Sequence, residues 1–133
     1  MTEQTQPGLV TRIANYVRSV RRGACHSVIL HDGSGLMLTD SYEDGSVDKA
    51  EVYWSEVVRL VAYKRDCFAI DLICLGLVTD KRFVEVNEEM EGWEGLIDAL
   101  PTYLPGTLEK ADWWEKVAFP AFATNWTTLF TKR

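Results

Sequence analysis

The chain is 133 residues long, one domain by size and enough to bury a single good core. Its 47% apolar and 26% charged residues argue against disorder. Its net charge of −6 argues against nucleic acid as a partner, because phosphates are met by clustered Lys and Arg. The charge is uneven. Residues 1–26 carry Arg12, Arg18, Arg21 and Arg22 against Glu3, a local balance of +3, which leaves the other 107 residues at −9.

From Pro7, the apolar residues Leu9, Ile13, Val17 and Val20 recur at helical spacing, and Pro suits a first helical position. A helix over residues 7–21 is expected, with Arg18, Arg21 and Arg22 near its negative end and Gly23 as its stop. This segment, 1–26, reads as a basic face or a docking strip for an acidic partner.

Val28–His31 and Leu36–Leu38 flank Asp32-Gly33-Ser34-Gly35, a composition suited to a tight hairpin. Residues 40–50, polar and acidic, read as a solvated loop. An antiparallel meander follows, with turns at Lys64–Cys67 and Thr79–Arg82. The first turn would pair Tyr63 with Phe68, Val61 with Ile70 and Val58 with Ile73. One face of the meander then collects Val58, Leu60, Ala62, Ile73, Leu75, Leu77, Val84 and Val86. The other collects Val61, Tyr63, Phe68, Ile70, Leu72, Cys74, Val78 and Phe83. Both faces are apolar, so each needs a cover. The early hairpin and Phe119–Phe130 are expected over the second face.

Trp93, Leu96, Ile97 and Leu100 form an apolar stripe of helical period, which Pro101 should end or bend. Leu108, Ala111, Trp114, Val117 and Ala118 suggest a shorter second helix, stopped by Pro120. The tail, FATNWTTLFTK, is rich in aromatic and β-branched residues and reads as a strand or an extended cover. The expected organisation is thus a single α+β domain over 1–133. Its parts are an N-terminal helix (1–26), an antiparallel sheet (27–90), and C-terminal helices with a final strand or cover (91–133).

Two early strands, the entry V-Y-W-S-E-V at 52–57, the meander and the amphipathic helix after N-E-E-M-E-G-W at 87–93 resemble the pleckstrin-homology/GRAM-like superfold. That resemblance covers roughly residues 27–100 and implies a bent antiparallel sheet closed at one end by a helix. Trp54–Asp71, Val84–Trp93 and Phe119–Thr127 also resemble a group of small bacterial proteins of unassigned function. Lipid-binding members of the superfold grip phosphoinositides with a basic loop between the first two strands. Here that loop holds Asp32 and no cation, so no membrane partner is expected.

Cys25, Cys67 and Cys74 are odd in number and lack CxxC spacing, which fits free thiols in a reducing cytosol. No charged leader followed by a long apolar run is present, and Leu72–Val78 is too short to cross a bilayer. A cytoplasmic protein is expected. His26 and His31, if on one strand, stand on opposite faces about 16 Å apart and cannot share a metal. Cys25-His26 adjoin, which rarely gives a catalytic thiol–imidazole contact. Cys67 has the cations Lys64 and Arg65 beside it. Asp71 interrupts an apolar strand and needs a partner. In the expected register it shares a face with Leu60 and Ile73, and any partner must come from elsewhere, such as the N-terminal arginines or a backbone turn.

Glu85, Glu88, Glu89, Glu91 and Glu94 form an acidic cluster suited to a helix start, a basic partner or a cation. Adjacent Trp113 and Trp114 cannot both face inward on one helix, so one is a candidate contact point. No catalytic or metal-binding motif stands out, and no cofactor is expected. The favoured reading is a non-enzymatic, acidic, cytosolic module that binds a protein partner or itself, of adaptor or immunity type. Candidate interaction residues are Trp113, Trp114, Glu88, Glu89, Glu91, Arg18, Arg21 and Arg22. The competing reading is a small hydrolase or ligand-binding protein using Asp71, His31 and Cys67, which would have to converge in a cleft.

Overall fold

A computed structural model describes residues 23–67, 70–121 and 123–133. The expected N-terminal helix, with Arg18, Arg21 and Arg22, lies outside them. Within them the architecture is α+β, built on two antiparallel sheets. The first sheet is β1 (Cys25–His31), β2 (Gly35–Tyr42) and β3 (Val47–Tyr53), in that order. A single 3-10 turn, Trp54–Glu56, leads to β4 (Arg59–Cys67), β5 (Ile70–Val78) and β6 (Phe83–Asn87). Two helices follow, α1 (Trp93–Tyr103) and α2 (Lys110–Ala118), and then β7 (Thr127–Thr131). The second sheet has the order β6-β5-β4-β7, so the chain's last strand returns to the edge of β4. One sheet over residues 27–90 was expected; there are two.

The first hairpin forms as its composition dictates. Asp32 Oδ1 accepts from the main-chain N–H groups of Ser34 (2.8 Å) and Gly35 (3.2 Å), a side-chain turn that fixes the reversal. The polar stretch 40–50, expected as a loop, is mostly strand: β2 runs to Tyr42 and β3 begins at Val47. Between them Tyr42 N–H donates to Ser46 O at 2.9 Å. β3 buries one side chain, Val52. An edge strand needs a ladder partner more than an apolar face, and its charges discourage further pairing.

The meander forms with a different register. Val61 opposes Gly76 and Tyr63 opposes Cys74, a shift of six residues from the expected pairing with Ile70 and Phe68. The expected turn at 64–67 is strand, and nine residues of β4 pair with nine of β5. The longer ladder sets Arg65 opposite Leu72, while the Lys64 N–H donates on the other side to Thr124 O at 2.7 Å. Because six is even, the slip leaves each side chain on its expected face. The second turn is as expected, with Thr79 N–H donating to Arg82 O at 2.9 Å.

One face of β4–β6 buries Leu60, Ala62, Ile73, Leu75, Leu77, Val84 and Val86 in the main core. Ile29, Leu36, Leu38 and Val52 of the first sheet enter the same core, as do Trp93, Leu96, Ile97 and Leu100 of α1 and Trp113 and Val117 of α2. The early hairpin therefore covers the first face, not the second as expected. The second face holds a smaller cluster, Val61, Tyr63, Leu72 and Cys74, with Phe83 and Trp126 against it. The C-terminal segment contributes Trp126 to that cover, as expected.

Gly92 starts α1 at φ +97°, and a Cβ there would lie 2.3 Å from Ile29 O. That close approach lets Glu91 bond β1 on both sides: Ile29 N–H to Glu91 O at 2.7 Å and Glu91 N–H to Ser27 O at 3.0 Å. Pro101 does not stop α1, which runs on to Tyr103. In the last turn proline costs one backbone bond, while Leu104 N–H still reaches Leu100 O at 2.8 Å. In α2 the buried positions are Trp113 and Val117, with Trp114 and Ala118 beside them and Ala111 exposed.

Candidate functional site

The sequence-predicted contact residues disperse. Trp113 is 1% exposed and belongs to the core, so it is withdrawn as a contact point. Trp114 is half-buried, tilted against Trp113 at 5.9 Å and overlain by Lys110 Nζ at 4.7 Å. Glu88 is half-buried and engaged with β5: its Oε2 accepts from Ile73 N–H at 2.8 Å and its own N–H donates to Ile73 O at 3.0 Å, extending the ladder past β6. Glu91 reaches His26 at 3.1 Å, Glu94 reaches Lys110 at 3.3 Å, and Glu85 pairs with Arg65 at 3.1 Å. Glu89 is exposed. The acidic cluster is thus divided among separate partners, and among the described residues no group of three or more His, Cys, Asp or Glu could hold a metal.

Asp71 pairs with Lys64, Oδ2 to Nζ at 3.2 Å, with side chains 16% and 3% exposed. This corrects the expectation of a distant partner. The register decides it: Lys64 opposes Ile73, which puts Asp71 on the same face and diagonal to it. The Lys64 ammonium also donates to Ala118 O at 2.8 Å and Pro120 O at 2.6 Å. Asn125 Nδ2 donates to Val117 O at 3.0 Å. Together they satisfy carbonyls at the end of α2 that lack helical partners. A buried ammonium held by three acceptors joins β4, β5 and α2, which is a structural task.

On the second face, Tyr63 stacks on Trp126 with centroids 4.3 Å apart and 19° between the planes. Its hydroxyl donates to Glu85. Burial raises the Tyr63 phenol above its ordinary pKa, and the Glu85 carboxylate raises it further. This group is neutral and engaged.

His31 Nδ1 lies 2.7 Å from Tyr103 Oη, and Tyr103 stacks on Trp54 at 5.1 Å. Trp54 Nε1–H in turn donates to Asp32 O at 2.7 Å. His31 and Asp71 therefore serve different partners on different sheets; the side chain of Cys67 lies outside the described residues.

What the sequence reading did not single out is the outer face of the first sheet. In the rows set by the ladder, Leu30 lies beside Met37 and Glu51, and Gly35 beside Tyr53. Leu30 is 57% exposed and Tyr53 54%. A concavity of about 290 Å³ opens there, lined by Leu30, His31, Asp32, Met37, Glu51 and Tyr53 among others. The signal was available in part, since Leu30 and Tyr53 stand at outward positions beside the turns. Reading Tyr53 so required knowing that 47–53 is a strand paired to β2.

No protein-family model matches the chain, and no curated protein or solved structure matches it. No helix among the described residues is long and apolar enough to cross a membrane.

Proposed function

We propose that the protein is a non-enzymatic, cytosolic binding module of pleckstrin-homology-like type, and that the outer face of β1–β3 engages a protein partner. The observation that carries this reading is the pair Leu30 and Tyr53, more than half exposed beside a concavity. Val47, 52% exposed, lies further along the same face. Large side chains of this kind become energetically dominant once a partner desolvates them. Two antiparallel sheets sharing one core with α1 support the superfold.

A photo-crosslinking side chain at position 53, compared with one at the exposed position 98 of α1, tests the reading in cells of the native host. The expected result is a discrete adduct with another protein from position 53, absent from position 98, and lost on Leu30→Asp with thermal unfolding unchanged. Equal adducts from both positions, or none, would overturn it. Adducts with a second copy of the chain alone would replace the partner with self-association.

A further inference from the structure

We propose that the concavity at the first hairpin takes a basic side chain, arginine or lysine, flanked by apolar residues on the partner protein. This rests on the reading of the outer β1–β3 face as a binding surface.

The volume of about 290 Å³ falls just below the range of pockets that enclose drug-sized ligands, roughly 300–1,000 Å³, and suits a side chain. At its floor Gly35 lets the β3 backbone approach closely; a Cβ there would lie 2.3 Å from Val52 O. Apolar walls come from Leu30, Met37 and the ring of Tyr53, whereas Leu36 and Val52, buried in the core, border it with their backbone. The charged groups of the lining are two carboxylates, Asp32 and Glu51, with no Lys or Arg among the described lining residues. Asp32 is held in place by the turn bonds it accepts from Ser34 and Gly35.

Apolar walls below carboxylates match a side chain with a methylene stem and a cationic head. Tyr53 adds a ring face that attracts the same head. The net charge of −6 acts in the same direction at long range. Arg82 donates to the main-chain oxygen of Glu51, and Lys49 stands one row further from the hairpin tip; neither lines the concavity. His31 lines it with Nδ1 engaged by Tyr103. An anionic ligand would meet two carboxylates. A bare inorganic cation would leave the apolar walls unused.

The test is an NMR titration of the full chain at pH 8 with capped pentapeptides Gly-Leu-X-Leu-Gly, where X is arginine, glutamine or glutamate, and with agmatine alone. The arginine peptide should saturate, with shifts confined to residues 30–37 and 51–53. The glutamine peptide should bind about tenfold or more weakly, the loss of a charge-assisted bond. Glu51→Gln and Tyr53→Ala should each weaken the arginine peptide about fivefold with unfolding unchanged, and added salt should weaken it further. Equal binding of the three peptides, no binding, or shifts elsewhere would overturn the proposal. Agmatine binding as tightly as the peptide would overturn the protein source. If the arginine peptide fails while the position-53 adduct persists and Leu30→Asp removes it, the binding face stands and the basic occupant falls. If both fail, both readings fall.

Discussion

At the scale of single residues, the strongest commitments are two polar groups buried in the second sheet. Lys64 brings an ammonium to Asp71, Ala118 O and Pro120 O. Lys64→Met should cost about 3 kcal/mol, because removing one member of a buried ion pair strands its acceptors. Asp71→Asn should cost less, since both carbonyls still hold the ammonium. Urea unfolding of the two variants measures the difference, and a Lys64→Met protein as stable as wild type would remove Lys64 from its proposed role. Tyr63 makes a second prediction. Its folded pKa is raised, so its contribution is fully present below the unfolded value of about 10 and is lost as pH rises toward the folded one. Spectrophotometric titration should therefore show Tyr63 ionising together with unfolding. Tyr63→Phe should cost about 1 kcal/mol for the lost hydrogen bond and flatten the fall of stability above pH 10.

Elements meet through close approaches that specific side chains permit. On β5, Gly76 leaves room for the Phe83 ring; a Cβ would fall 2.4 Å from Phe83 Cζ and 3.0 Å from Val61 Cγ2. Gly76→Ala should destabilise by about 1–2 kcal/mol through overpacking, and Gly76→Ala with Phe83→Leu should recover most of it. At the start of α1 the obstacle is backbone: Gly92→Ala would meet Ile29 O at 2.3 Å from a positive φ. Its cost should exceed that of Gly76→Ala, with no side-chain substitution able to relieve it. Chemical denaturation of this set separates the two cases. Trp113→Ala should cost about 3–5 kcal/mol, as for a large core side chain, and Trp114→Ala distinctly less.

The molecule is organised about β4 and β5, which have strand neighbours on both sides and apolar clusters on both faces. Native-state hydrogen exchange should find the slowest amides in Leu60–Tyr63 and Leu72–Leu77, near the global unfolding limit. β3 should exchange faster, because its outer edge is exposed and it buries Val52 alone. This places the proposed binding face on the less stable sheet, with the more stable one as its support. Faster exchange in β5 than in β3 would contradict that arrangement.

Much of this was determined by the sequence alone. Alternation of period two assigned Leu60, Ala62, Ile73 and Leu75 to one face and Val61, Tyr63, Leu72 and Cys74 to the other. Asp32–Gly35 and Thr79–Arg82 declared their turns, and the Trp93–Leu100 stripe declared a helix. Periodicity, however, is blind to an even slip, so it could not choose between Phe68 and Cys74 opposite Tyr63. The register therefore waited for the tertiary structure, and with it the Lys64–Asp71 pair. The layer that covers each face was equally hidden, because apolar side chains attract without specifying a partner. The first half of β3, residues 47–50, reads as a loop because its composition is polar, although a paired neighbour is enough to hold an edge strand. That one strand carries Glu51 and Tyr53 to the side of Leu30 and Asp32. The candidate site is a product of cross-strand neighbourhood, which long-range packing creates and local spacing does not encode.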